Sequence, residues 1–164
     1  MIRPFRSETE RYGEYSKAGE FVYDHPFLWG SKRTGPDLHR LGGKYLHSWH
    51  YRHMYDPTLT SEGSLMPRYQ WLYWQKIDKE TTPDKIAAMR TLGVPYEESY
   101  EYQSIAVLER QAEEIVKQLV EQDGDISKQP PDHDLDIIAL IAYLQRLGTD
   151  IKVEGDVSMN ETGN

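Results

Sequence analysis

Apolar positions recur at helical spacing through the second half of the chain and lose that order toward the N-terminus. Over 99–122, Ile105, Leu108, Ala112, Ile115, Leu119 and Val120 return every three or four residues with Glu and Lys opposite, which predicts an amphipathic helix. Gly124 and the Gln129-Pro130-Pro131 stretch break it. A last helix is expected over 135–147, capped by Asp132 or Asp134 and stopped by Gly148. Its residues Leu135, Ile137, Ile138, Leu140, Ile141, Tyr143, Leu144 and Leu147 leave little polar face, so something must cover it. Earlier, Thr82 as N-cap and Pro83 at the first helical position open a helix over 83–92, which Gly93 ends. A shorter helix over 48–55 stops at Pro57.

Residues 1–29 show no sustained period of 2 or 3.6, and they predict extended or looped chain with at most a turn of helix. Phe5, Phe21, Tyr23, Phe27 and Trp29 in this stretch need a surface to lie on, and His25, held extended by Pro26, reads as a hydrogen-bonding residue. At the other end, 149–164 is acidic, Gly-containing and without period, the pattern of a disordered tail. The fold class that follows is mainly α, with one domain over 1–148.

Composition narrows the picture. Hydrophobic residues make up 38% of the 164, charged residues 28%, and the mean hydropathy is −0.75, which implies a thin core. An aromatic content of 12% partly offsets this, because Tyr and Trp bury large areas while keeping a polar handle. A net charge of −8 argues against nucleic acid and suits a basic partner. No run approaches the roughly twenty apolar residues that span a bilayer, and the first residues lack the apolar core of a signal peptide.

One residue stands outside every periodicity. Met66 lies between Gly63 and Pro67 on a stretch that reads as irregular loop, and its thioether is a soft ligand suited to haem iron. Taken alone, a methionine is more often a gap-filling core residue. Upstream, Gly35 and Pro36 make a turn within Thr34 to Leu38, and Gly42 and Gly43 allow close backbone approach or positive φ. His47, His50 and His53 share part of one helical surface and could hold zinc or copper, although i to i+6 drifts too far for one ion to meet all three.

The order Thr-Gly-Pro-Asp-Leu, Gly42-Gly43, Trp49-His50, Asp56-Pro57, Met66-Pro67 resembles the distal half of a class I c-type cytochrome. More narrowly, the run over 1–38, Trp49-His50 with His53, the Met66-Pro67 loop, RTLGVPY at 90–96 and LIAYLQRLGTD at 140–150 resemble subunit II of the cbb(3)-type cytochrome c oxidases, a membrane-anchored mono-haem subunit. The resemblance implies a haem c cofactor with Met66 as distal axial ligand of the iron. It also implies that Thr34, Gly35, Pro36 and Leu38 shape the haem surroundings and that Trp71 limits water. Tyr69, Leu72, Tyr73 and Trp74 would join Trp71 in one pocket wall.

In that family a transmembrane anchor and a Cys-x-x-Cys-His attachment site come before the segment that here begins at Met1. This chain has no cysteine, so the thioether attachment and the proximal histidine have no counterpart in it. The partner that covers the last helix in class I cytochromes is an N-terminal helix, expected to be among the absent parts. The resemblance implies one-electron relay toward a catalytic haem-copper subunit, beside other cytochrome subunits and with a soluble cytochrome c as a further partner. It implies the periplasmic face of a bacterial inner membrane, reached through an N-terminal anchor. The chain alone is not expected to be catalytic. An alternative from another class is a haemless structural or interaction module.

Overall fold

The computed structural model describes residues 1–24, 30 and 32–149. The readings for His25, Phe27, Trp29 and the tail beyond Thr149 lie outside the described residues. Among those described the fold is helical and contains no strand: α1 (Arg6–Tyr12), α2 (His47–Tyr55), α3 (Thr82–Thr91), α4 (Tyr100–Gln122), α5 (Gly124–Lys128) and α6 (Asp136–Arg146), with short 3₁₀ turns at Ala18–Phe21, Pro57–Leu59 and Gln70–Tyr73. The residues divide into two compact units, Met1–Lys44 with Leu144–Asn164, and Tyr45–Tyr143.

In the first unit, charge does what apolar periodicity does elsewhere. Glu8, buried on α1, accepts from the Arg3 backbone at 2.9 Å and pairs with Arg33 at 2.8 Å. Arg33 also holds Asp37 at 2.8 Å. Ile2, 1% exposed, is pinned by its N–H to Ser16 Oγ at 2.8 Å and by its carbonyl, which accepts from Ser16 N–H at 2.9 Å. These long-range bonds stabilise α1, which is nearly two turns where the aperiodic sequence suggested at most one. Of the aromatics expected to need a surface, Phe21 is buried, whereas Phe5 and Tyr23 stay exposed. The two central glycines divide the roles foreseen for them. Gly43 has φ +72°, while a Cβ on Gly42 would stand 2.5 Å from the Gln145 carbonyl oxygen.

In the second unit α4 carries the main apolar stripe. Its Ala112, Ile115 and Leu119 form one cluster with Ile126 of α5, Leu135, and Ile137, Ile138 and Ile141 of α6. Leu119, Ile137, Ile138 and Ile141 are fully buried. The nearly all-round apolar helix is therefore covered along much of its length by residues of this chain. An antiparallel bridge between Lys76 and Leu135, with Ile77 N–H on the Asp134 carbonyl at 2.9 Å and Asp136 N–H on the Gln75 carbonyl at 3.0 Å, fixes the approach to α6.

Helix boundaries follow local chemistry. Thr81, not Thr82, is the N-cap of α3, with Pro83 at the second helical position, and Gly93 at φ +96° turns the chain out. Arg90 of α3 grips Glu101 of α4 through two nitrogens at 2.8 and 3.0 Å. The sequence predicts only a break at Gly124, yet Asp123 accepts from Asp125 N–H and starts the short α5, whose Ile126 completes the core.

Candidate functional site

The Met66 loop is closed at its neck by two contacts to the end of α2. Arg68 pairs with Asp56 at 2.6 Å, and Tyr69 N–H donates to the Met54 carbonyl at 2.9 Å. Asp56 serves twice, because its Oδ1 also accepts from Thr58 N–H and caps the 3₁₀ turn that opens the loop. Within the loop, Gly63 at φ +73° makes the reversal, and Met66 N–H donates to Ser64 Oγ at 3.2 Å. Met66 is half-buried, while its neighbour Leu65 is fully exposed. A thioether is thus carried on backbone that side-chain and main-chain bonds hold in place.

The expected aromatic wall splits in two. Leu72 and Tyr73 pack against the core cluster, and the Tyr73 hydroxyl donates to the Tyr51 carbonyl. Burial raises the Tyr73 hydroxyl far above its ordinary value and keeps it a neutral donor. Trp71 and Trp74 turn outward, 43% and 66% exposed, with Tyr69 edge-on to Trp71 at 5.1 Å. A 710 Å³ cleft in this unit is lined by Tyr51, Tyr55, Leu59 and Tyr73 among others; Met66 and Trp71 do not line it.

Thr34, Gly35, Pro36 and Leu38 belong to the first unit, and Met66 and Trp71 to the second. Thr34, Gly35 and Pro36 are exposed on a bend, and Leu38 is 48% exposed. The residue between them faces inward: Asp37 accepts from His39 N–H at 2.9 Å and from Arg33 at 2.8 Å, so Leu38 presents its side chain outward. Burial raises Asp37, but its bonds to His39 N–H and Arg33 outweigh it, and the carboxyl stays below its usual range.

Two features escaped the sequence reading. One is a charged knot in the first unit, where Glu20 meets His39 Nε2 at 2.8 Å and Arg40 through two nitrogens at 2.5 and 2.8 Å. Burial pushes Glu20 up, but the Arg40, Lys17 and His39 hydrogen bonds prevail and hold it at about 2. The other is the state of the histidines on α2. His53 Nδ1 is 2.5 Å from Thr60 Oγ1, and its ring stacks on Trp49 at 4.4 Å. Trp49 stacks in turn on Tyr45 at 4.1 Å. His50 lies edge-on to Tyr45 and Trp49, is 1% exposed, and has no hydrogen-bond partner on either ring nitrogen. Burial, then the nearby His47 and His53, lower it to about 4, so the ring is neutral at pH 7. The i+4 relation of His50 to Met54 was the available signal, since it puts His50 on the core-facing side of α2. The three histidines do not converge as a metal site; the one group of close metal-ligating atoms among the described residues is Asp132, His133 and Asp134, whose acids are engaged by Lys76 and Lys79.

The donors present fit a haem on its non-covalent side. A soft sulfur stands on a braced loop, Trp71 and Leu65 are exposed near it in sequence, and a buried imidazole lacks the polar partner that folding normally supplies. Cysteine for covalent attachment is absent from the 164 residues.

A family model described as cytochrome c oxidase, mono-heme subunit/FixO, matches residues 1–151. The chain belongs to this FixO family. A search of curated proteins found no match. Membership makes the chain a mono-haem subunit of cytochrome c oxidase by kind, with haem as the family's cofactor and other oxidase subunits as its partners. Among the described residues no helix is long and apolar enough to cross a membrane.

Proposed function

We propose that this FixO chain passes single electrons through a haem toward the oxygen-reducing haem-copper subunit of a cbb(3)-type oxidase, with Met66 as the distal axial ligand. The observation that carries the reading is the thioether of Met66 on a loop clamped to α2 by Arg68–Asp56 and Tyr69–Met54. The haem supplies the redox change. Met66 would hold the iron through a soft sulfur, which would favour the reduced iron and raise the potential relative to two imidazoles. Thr34, Gly35, Pro36 and Leu38 shape the surroundings of the haem, and Trp71 limits water. Residues 1–148 act as one cytochrome-like domain, on the periplasmic face of a bacterial inner membrane, beside other cytochrome subunits. A net charge of −8 favours a basic soluble cytochrome c as a further electron partner.

The test uses the chain with a Cys-x-x-Cys-His motif supplied before Met1. Met66→Ala should keep the haem, lose the sulfur-to-iron absorption band and lower the reduction potential; Met89→Ala, on α3, should change neither. A Met66→Ala protein with unaltered spectrum and potential refutes the ligand assignment. The absence of cysteine favours one second reading, a haemless interaction module. That reading requires that haem added to the 164-residue chain is not bound.

A further inference from the structure

His50 poses a local problem that the protein does not solve. Its ring is 1% exposed, and neither nitrogen meets a hydrogen-bond partner. Leaving a buried donor or acceptor unpaired costs on the order of 1–3 kcal/mol, so folded proteins rarely keep one without a compensating partner. The neighbours that define its surroundings are aromatic. Tyr45 and Trp49 meet the imidazole at interplanar angles of 88° and 86°, with centroids 6.0 and 5.2 Å away. A partner that enters here is therefore mostly apolar and carries one polar end for the imidazole.

A metal ion does not meet this description. It needs further ligands, and the flanking histidines have partners already: Thr60 holds His53 Nδ1, and Gln118 holds His47. Their ring nitrogens do not gather with those of His50 within ligating distance. A haem does meet it, being a flat apolar body that bears carboxylates. His50 also shares its helix with the anchor of the methionine loop, because the Met54 carbonyl one turn on receives Tyr69 N–H. We propose that His50 donates a hydrogen bond to a propionate carboxylate of the haem, and so is the residue that positions the buried acidic edge of that group. The inference rests on the haem reading of the chain. A neutral imidazole has one N–H to give, and a carboxylate oxygen is the stronger acceptor for it.

The experiment titrates the 164-residue chain with iron protoporphyrin IX and, separately, with its dimethyl ester, in which both carboxylates are blocked. The wild-type chain should bind the free acid about tenfold more tightly than the ester, equivalent to about 1.4 kcal/mol. His50→Leu should erase that preference and His50→Gln, which keeps an N–H donor, should retain part of it. Without haem, His50→Leu should melt no lower than wild type, since the imidazole it removes is unpaired; a residue with a merely structural role would lower the melt. An ester bound as tightly as the acid, or an acid preference that survives in His50→Leu, overturns the proposal. So does zinc bound by wild type and not by His50→Leu while the acid preference is unmoved. Haem binding with a Met66-dependent spectrum but no effect of His50 would sink this inference alone. A His50-dependent preference with a spectrum indifferent to Met66 would sink the ligand assignment alone. No haem binding by the wild-type chain overturns this inference and is the outcome the haemless reading requires, while the ligand assignment keeps its own test in the chain with the attachment motif.

Discussion

Alanine at Gly43, Gly42 and Gly148 separates two costs that glycine avoids, one conformational and one steric. Gly43 has φ +72° with nothing within 4 Å of an added Cβ, so alanine there meets only the left-handed penalty of an L-residue, about 1–2 kcal/mol. Gly42 lies outside the left-handed region, but its Cβ would stand 2.5 Å from the Gln145 oxygen and 2.7 Å from the Leu147 oxygen. Both are backbone atoms, and Leu147 O already accepts Gly42 N–H at 2.9 Å. Relief therefore requires that bond to lengthen or break, about 0.5–1.5 kcal/mol, on top of about 1–3 kcal/mol of overpacking. Gly148 combines the two, with φ +72° and a Cβ 2.4 Å from the His39 oxygen. The expected order of destabilisation is Gly43→Ala, then Gly42→Ala at about 2–4 kcal/mol, then Gly148→Ala. Urea unfolding followed by circular dichroism reads that order. Gly42→Ala at or below Gly43→Ala would refute the close approach of residues 145–147 to the glycine pair.

The other expectations concern the core and acid. Leu119→Ala removes a fully buried side chain from the α4–α6 cluster and should cost about 3–4 kcal/mol, read as a lower urea midpoint; a loss under about 1 kcal/mol would mean that the cluster is not closely packed. On acidification, Glu8, held at about 2 by Arg3 and Arg33, and Asp123, held at about 2 by Arg52, contribute stability that is present above the ordinary carboxylate range and is lost as pH falls toward 2. His50 has the same sign at higher pH: with its value lowered from 6.5 to about 4 by burial, protonating it in the fold costs about 3 kcal/mol, a penalty absent above 6.5 that grows as pH falls toward 4. Thermal melts from pH 7 to 2 should therefore decline in two stages, the upper one shared with His39, His47 and His53, which burial also lowers, and His50→Leu should shrink it; an unchanged upper stage would show that the imidazole gains a proton without penalty.

Helical spacing carried most of the second unit. The residues of α4 chosen by period are those that line the core, and the α6 pattern, apolar nearly all round, corresponds to a helix buried along much of its length. Which residues of this chain cover α6 was not legible, because that depends on tertiary placement. The first unit was less readable for a physical reason. Its order comes from Arg33 reaching Glu8 and Asp37, and from Arg40 reaching Glu20, contacts between residues up to 25 apart that leave no period in the sequence. α5 was missed for a smaller reason, since one Asp123 cap and five residues are too few to register as a pattern.

The same contrast separates Met66 and His50, the two residues proposed to meet the haem. Met66 stood out in the sequence because it broke every periodicity, and the structure gives it the braced, irregular backbone that such a break implies. His50 reads in the sequence only as one of three helical histidines, because it obeys the periodicity: placed one turn before Met54, it occupies a position where an apolar side chain would be the ordinary choice. A leucine there would satisfy the pattern and leave no nitrogen without a partner. An imidazole at that position therefore costs the unliganded chain stability, and it offers a bound group a hydrogen bond in return. Such a conflict between local stability and polarity is what a binding residue leaves in a folded protein before its ligand arrives. Periodicity alone could not reveal it; the two unpartnered ring nitrogens do.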